Sequence, residues 1–202
     1  MEDMQICNRV ELRGVLAGAP SFSHESRGIA FYTFPLEIER LSGTLDRINI
    51  VARLDQLSDI PADAGGKIHV IGELRSFNNK TGTGSKLIIT VFAREIQADD
   101  GDDLNSVYLL GTLCKTPNLR TTPLGRDICD IMLAVNRRYG RSDYLPCIIW
   151  GHRARNAADW TVGTSVSLEG RIQSRKYIKA TESEAVEKTA FEVSVTEIVE
   201  VI

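Results

Sequence analysis

Apolar side chains recur at alternate positions in short runs along most of the chain. Val10 and Leu12 lead to Gly14, then come Phe34, Leu36 and Ile38, and later Val107 and Leu109, Ile131, Leu133 and Val135, and Val193 and Val195. A period of two over runs of this length predicts strands with one face buried. Helical spacing surfaces in two short places. Arg153–Trp160 carries the small helix formers Ala154, Ala157 and Ala158, and Leu54–Ile60 stops at Pro61 after about one turn.

The alternation is duplicated. Asn8-Arg-Val-Glu-Leu-Arg-Gly14 followed by Pro20 overlays Asn105-Ser-Val-Tyr-Leu-Leu-Gly111 followed by Pro117. The same offset sets Phe34, Leu36 and Ile38 over Ile131, Leu133 and Val135. Further on, Gly65-Gly-Lys-Ile-His-Val-Ile-Gly72 lies over Gly163-Thr-Ser-Val-Ser-Leu-Glu-Gly170, and Ile89, Val91, Ala93 and Ile96 lie over Phe191, Val193, Val195 and Ile198. Each copy reads as five antiparallel strands; in the second copy they cover 107–113, 126–136, 144–150, 165–172 and 189–195. The helix falls between strands three and four, which is the order of an oligonucleotide/oligosaccharide-binding (OB) barrel. The chain is therefore expected to be all-β, with two tandem five-stranded OB-fold barrels and a short helix between strands 3 and 4 of each. The expected boundaries are 1–97, an acidic linker at 98–104, and 105–202. Gln97–Asp103 holds four Asp and little to bury, so it reads as a solvated connector.

Composition adds a division of charge. Hydrophobic residues make up 43% and charged residues 25%, as in an ordinary globular protein. The net charge of −3 hides an asymmetry: residues 1–104 hold 11 Lys+Arg against 16 Asp+Glu, and residues 105–202 hold 13 against 11. Local basic clusters matter more to a polyanion than the total. The N-terminus has no signal-peptide pattern and no stretch is apolar enough to span a membrane, so a cytoplasmic protein with no membrane association is expected. Cys7, Cys114, Cys129 and Cys147 are scattered without a C-x-x-C pair and read as free thiols. His24, His69 and His152 lack metal-ligand spacing, and no phosphate loop or nucleophile motif occurs. Neither an enzyme nor a cofactor is expected.

The second half resembles the bacterial single-stranded DNA-binding protein family over nearly its whole length. The residues that carry the likeness are Asn105-x-Val-x-Leu-x-Gly111-x-Leu113, Pro117-x-Leu-Arg120-Thr-Thr-Pro-x-Gly125, Leu133-Ala-Val-Asn136, Ile148-Ile-Trp-Gly151, Val166-x-Leu-Glu-Gly-Arg-Ile-Gln-Ser-Arg-Lys-Tyr177 and Phe191-Glu-Val193. The resemblance implies single-stranded DNA as partner, with bases stacked on Tyr139, Tyr144, Trp150 and Tyr177. Every base has a π-face, so such platforms grip a strand without reading its sequence, at about 1–3 kcal/mol per base. Arg120, Arg137, Arg138, Arg141, Arg171, Arg175, Lys176 and Lys179 are the candidate phosphate contacts, which would make affinity salt-dependent. Tyr and Trp also pack barrel cores and rims, and this competes most for Tyr144 and Trp150. Trp160, after the helix, reads as a core plug.

The first half keeps only the framework. Ser42, Arg47 and Arg53 stand where the second copy has Tyr139, Tyr144 and Trp150. Phe77 sits two residues short of the place of Tyr177, and with Arg47, Arg53 and Lys80 it offers at most weak contacts. This copy is expected to support assembly. The family often uses four barrels, a count that a homodimer of this chain would reach. The acidic tail with which relatives recruit replication proteins is not expected here. The rival reading is a protein-interaction module of the primosomal replication protein N kind, or a phage accessory factor, with weak nucleic-acid binding.

Overall fold

The structure, a computed structural model, describes residues 7–60, 65–79, 86–137, 140–180 and 185–201, with the backbone alone at 59, 177–180 and 185–188. It divides into two compact units, one of Arg9–Arg75 with Ile89–Ser106 and the other of Met1–Asn8, Ser76–Ile88 and Val107–Ile202.

The first barrel uses β1 (Asn8–Leu16), β2 (Ser21–Ser26), β3 (Ile29–Glu39), β4 (Leu45–Arg53), β5 (Lys67–Asn78) and β6 (Leu87–Ala98), with a 3-10 helix at Leu54–Asp59. Five of these strands close a ring in the order β1-β3-β4-β6-β5-β1, and β2 extends it as a hairpin on β3. The second barrel repeats the plan with β7 (Leu104–Leu113), β8 (Asn118–Thr121), β9 (Asp127–Asn136), β10 (Ser142–Trp150), helix α1 (His152–Ala158), β11 (Ser165–Ala180) and β12 (Ala185–Glu200). Its ring runs β7-β9-β10-β12-β11-β7, with β8 added on β9.

Both are the expected five-stranded OB barrels, with two refinements. The pairings are not all antiparallel: β4 runs parallel to β6 and β10 parallel to β12. Geometry requires this, because strands cannot alternate direction all the way round a closed ring of odd number. The last two strands also run well beyond their expected spans, pairing from Val166 opposite Glu200 to Ala180 opposite Ala185 with one register shift between Glu169 and Gly170. The polar residues of this arm hid it from a search for apolar alternation.

Inward positions of the alternation make each core. Leu12, Phe34, Leu36, Ile48, Ile50 and Ile68 fill the first, and Leu109, Leu113, Cys129, Leu133, Leu145 and Ile149 the second, all essentially without exposure. Ala154 and Ala157 of α1 are fully buried where the helix packs on β8, β9 and β10. Their small size lets seven residues sit close against the barrel. Trp160 is half-buried rather than a core plug. Its backbone N–H donates to Ala157 O just past the helix, which leaves the residue at the rim.

The duplicated glycines mark where strands cross closely. A Cβ on Gly14 would stand 2.2 Å from Glu37 O, and one on Gly111 2.6 Å from Ala134 O. At Gly72 and Gly170 the obstacles are the carbonyls of Phe92 and Ser194, each at 2.4 Å. An ion pair is duplicated as well. Arg40 donates two hydrogen bonds of 2.6 Å to the fully buried Asp46, and Arg137 holds the fully buried Asp143 in the same way.

The acidic run was expected to be solvated, yet it is tied down within the first unit. Arg13 pairs with Asp99 at 2.9 Å, Lys67 pairs with Asp103 at 2.7 Å, and Asp103 also accepts the Glu39 N–H. A hydrogen bond from the Gly101 N–H, helped by Arg13, holds the Asp99 carboxyl below the usual range.

Candidate nucleic-acid interface

The strand register of the second barrel assembles one outer face. Arg120 of β8, Ile128 of β9 and Trp150 of β10 stand in a row, and the next row is Asn118, Asp130 and Ile148, continued on β12 by Ser194. Two positions alternate back along β10 to Tyr144, opposite Ala134. On the far side Arg171, Gln173 and Arg175 of β11 lie opposite Ser194, Glu192 and Ala190. Alternation explains the arrangement: Asp143, Leu145, Cys147 and Ile149 point into the barrel, so their even-numbered neighbours point out.

Two rings project from this face. Tyr144 is 51% exposed and Trp150 39% exposed, large values for apolar rings on a strand. The Trp150 indole N–H donates to Ser194 Oγ at 3.2 Å across the parallel β10–β12 pair. That bond fixes the ring's orientation while its body stays open to solvent. The Tyr144 backbone N–H is taken by Ser76 Oγ at 2.7 Å. Beside Trp150, a shallow depression is lined by Arg126, Asp127, His152 and Arg155. Hydrogen bonds from Arg155 and Thr121 hold the Asp127 carboxyl below its ordinary range.

The cations divide by their partners. Arg120 donates to both oxygens of Asp130, at 2.5 and 3.1 Å, and this pairing strengthens its hold on its proton. Arg175 faces Glu192 at 3.9 Å, Arg153 grips Glu197, and Arg155 pairs with Asp127. Arg141 and Arg171 are exposed and, among the described residues, have no ion pair, and Lys176 is also exposed. Arg137 differs from its expected phosphate role. It is needed as the counter-charge of the buried Asp143, and it also donates to Ser76 O. Ser194, Asp130 and Glu192, which no sequence signal pointed to, join this face through cross-strand register.

The remaining sequence candidates fall elsewhere. Arg138, Tyr139 and Lys80 lie outside the described residues, and Tyr177 and Lys179 are described by backbone alone, with Tyr177 paired opposite Lys188. Arg47 pairs with Glu37 and Arg53 with Asp55, while Phe77 is 48% exposed.

The second unit is thus a closed OB ring that carries two exposed aromatic rings on its third strand, β10, and exposed arginines on its fourth, β11. Residues 104–200, which make up this second barrel, match the model of the single-strand binding protein family. Among curated relatives, single-stranded DNA-binding protein 2 of Listeria innocua is 38% identical over 81 residues, covering 37% of this chain and 51% of the relative. Single-stranded DNA-binding protein 3 of Streptococcus agalactiae is 36% identical over 81 residues, covering 37% and 59%. The chain thus matches between half and three-fifths of these relatives' length. Both barrels together are similar to the crystal structure of wild-type single-stranded DNA binding protein from Thermus aquaticus. That likeness covers 96% of this chain and 93% of the other, at TM-score 0.77 and 24% identity, and it concerns the fold.

Proposed function

We propose that the chain binds single-stranded DNA without sequence preference, gripping it on the outer face of the second barrel. The observation that carries the reading is the pair of exposed rings, Tyr144 and Trp150, on one face of β10 in a domain that matches the model of the single-strand binding protein family. Bases stack on these rings and on Tyr139 and Tyr177, while Arg141, Arg171, Arg175, Lys176 and the latched Arg120 meet phosphates. Coating of exposed strands during replication, recombination or repair follows from such binding, and a homodimer would bring four barrels to one strand.

Titration with oligo(dT) at two salt concentrations, followed by tryptophan fluorescence, tests the reading. Tight, salt-sensitive quenching is expected. Loss of one stacking platform in Trp150→Ala should weaken binding by about 1–3 kcal/mol, roughly five- to 150-fold, with an unchanged circular dichroism spectrum. Absence of binding by the unaltered chain below about 100 μM refutes the proposal and favours a protein-interaction module.

A further inference from the structure

The first barrel lacks rings at the positions of Tyr139, Tyr144 and Trp150, yet rings stand at other positions of the corresponding outer face. His24 of β2, Phe31 of β3 and Arg53 of β4 form one cross-strand row, the counterpart of the row that ends in Trp150. Phe92 of β6, paired with Val51, occupies the place that Ser194 takes in the second barrel. The residue types have exchanged strands. In the second barrel the ring is on the third strand of the ring and the small neighbour on the fifth, whereas in the first the third strand supplies arginine and the fifth a phenylalanine.

These side chains form one contiguous cluster. The His24 ring lies parallel to Phe31, with centroids 4.9 Å apart and an interplanar angle of 10°. Phe31 in turn meets Phe92 at 5.7 Å, with the two rings tilted by 44°. The Arg94 guanidinium lies over the Phe92 ring at 5.1 Å and that of Arg75 at 6.0 Å, with Glu73 bonded to both arginines. Phe31 is 8% exposed and acts as a backing, while His24 and Arg94 sit at the surface. Each therefore presents a flat group backed on its inner side by a phenylalanine ring. Imidazole and guanidinium planes of this kind accept unstacked bases.

We infer that this His24–Phe31–Phe92–Arg94 cluster is a second single-strand site, on the barrel that lacks rings at the positions of Tyr144 and Trp150. It takes bases on His24 and Arg94 and a phosphate on Arg53. Because Glu73 and Asp55 already neutralise the arginines, stacking rather than counterion release supplies the affinity. The site's contribution should accordingly depend little on salt, unlike that of the second barrel.

The test uses the full chain and fluorescein-labelled oligo(dT) long enough to cross two barrels, about 40 nucleotides at roughly 4–16 per OB fold. In a Tyr144→Ala/Trp150→Ala chain, residual binding with a shallow salt dependence is expected, and adding His24→Ala and Arg94→Ala should reduce it at least tenfold. Both added positions are exposed, and a melting curve confirms that each chain is folded. Complete loss of binding in the first double variant overturns the inference, as does residual binding that His24→Ala and Arg94→Ala leave intact. The second result would leave the ring cluster as a surface for another protein. Failure of the unaltered chain to bind refutes the proposed function itself, which keeps the two ideas separable.

Discussion

Substituting Asp130 with Asn should make the proposed DNA face bind more tightly, although the change removes an ion pair. Asp130 receives both hydrogen bonds of Arg120 on the outer face of β9, and the pair is 47% and 37% exposed on its two sides. An exposed pair of this kind is worth about 0.2–1 kcal/mol, so the barrel loses little stability. A phosphate seated on Arg120 would stand on the order of 6 Å from the carboxylate. At that separation two like charges repel by about 0.7 kcal/mol at the dielectric of water and about 2.8 kcal/mol at an effective dielectric of 20. Exposure places this pair nearer the first value, so removing the carboxylate should raise affinity about three- to tenfold.

The salt dependence supplies an independent readout. An arginine already neutralised by Asp130 releases little counterion on meeting DNA, whereas a liberated one steepens the slope of log K against log salt by up to about 0.7. Fluorescence anisotropy with oligo(dT) across a salt series measures both quantities. Arg120→Ala in the Asp130→Asn background should cancel both gains. If Asp130→Asn changes neither affinity nor slope, Arg120 does not meet the backbone and the latched-arginine account of this face is wrong.

Two further outcomes follow from the barrel itself. Gly111→Ala would place a Cβ 2.6 Å from Ala134 O and 2.9 Å from Leu133 Cγ, forcing β7 away from β9. Such overpacking costs about 1–3 kcal/mol, a melting temperature lower by roughly 2–12 °C in calorimetry; an unshifted transition would show that the crossing can relax. Cys129 and Cys147 are buried, and burial pushes both thiols above their ordinary range, so neither should react with a thiol reagent until the protein is unfolded. Rapid modification of Cys147 in the native chain would contradict its burial in the core.

The parts of the fold legible in sequence are those where one residue's chemistry suffices. Alternation placed the strands because a half-buried strand must alternate, and Gly14 and Gly111 aligned because a crossing backbone leaves no room for a side chain. The α1 helix was legible from its alanines. What could not be read depends on register between distant strands. Nothing near Arg120 in sequence announces that Asp130 faces it, or that Asp143 requires Arg137 as its counter-charge. The acidic run looked like a solvated connector by composition, yet its cations, Arg13 and Lys67, lie in strands far removed along the chain.

The same distinction explains how the first barrel's outer face escaped a comparison of positions. Duplication ties the two copies together wherever packing is tight: the four glycines, the inward alternation and the Arg40–Asp46 and Arg137–Asp143 pairs each have several neighbours that must agree. An outer face carries no such constraint. A base needs only a flat surface with a cation within reach, and β3 with β6 can offer that as well as β10. At the position matching Trp150 the first copy has Arg53. The same patch of surface nevertheless holds His24 stacked on Phe31 and Arg94 over the Phe92 ring. For a ligand recognised by its π-face rather than by hydrogen-bonded sequence, the patch is the unit that selection can conserve while the residues beneath it change places.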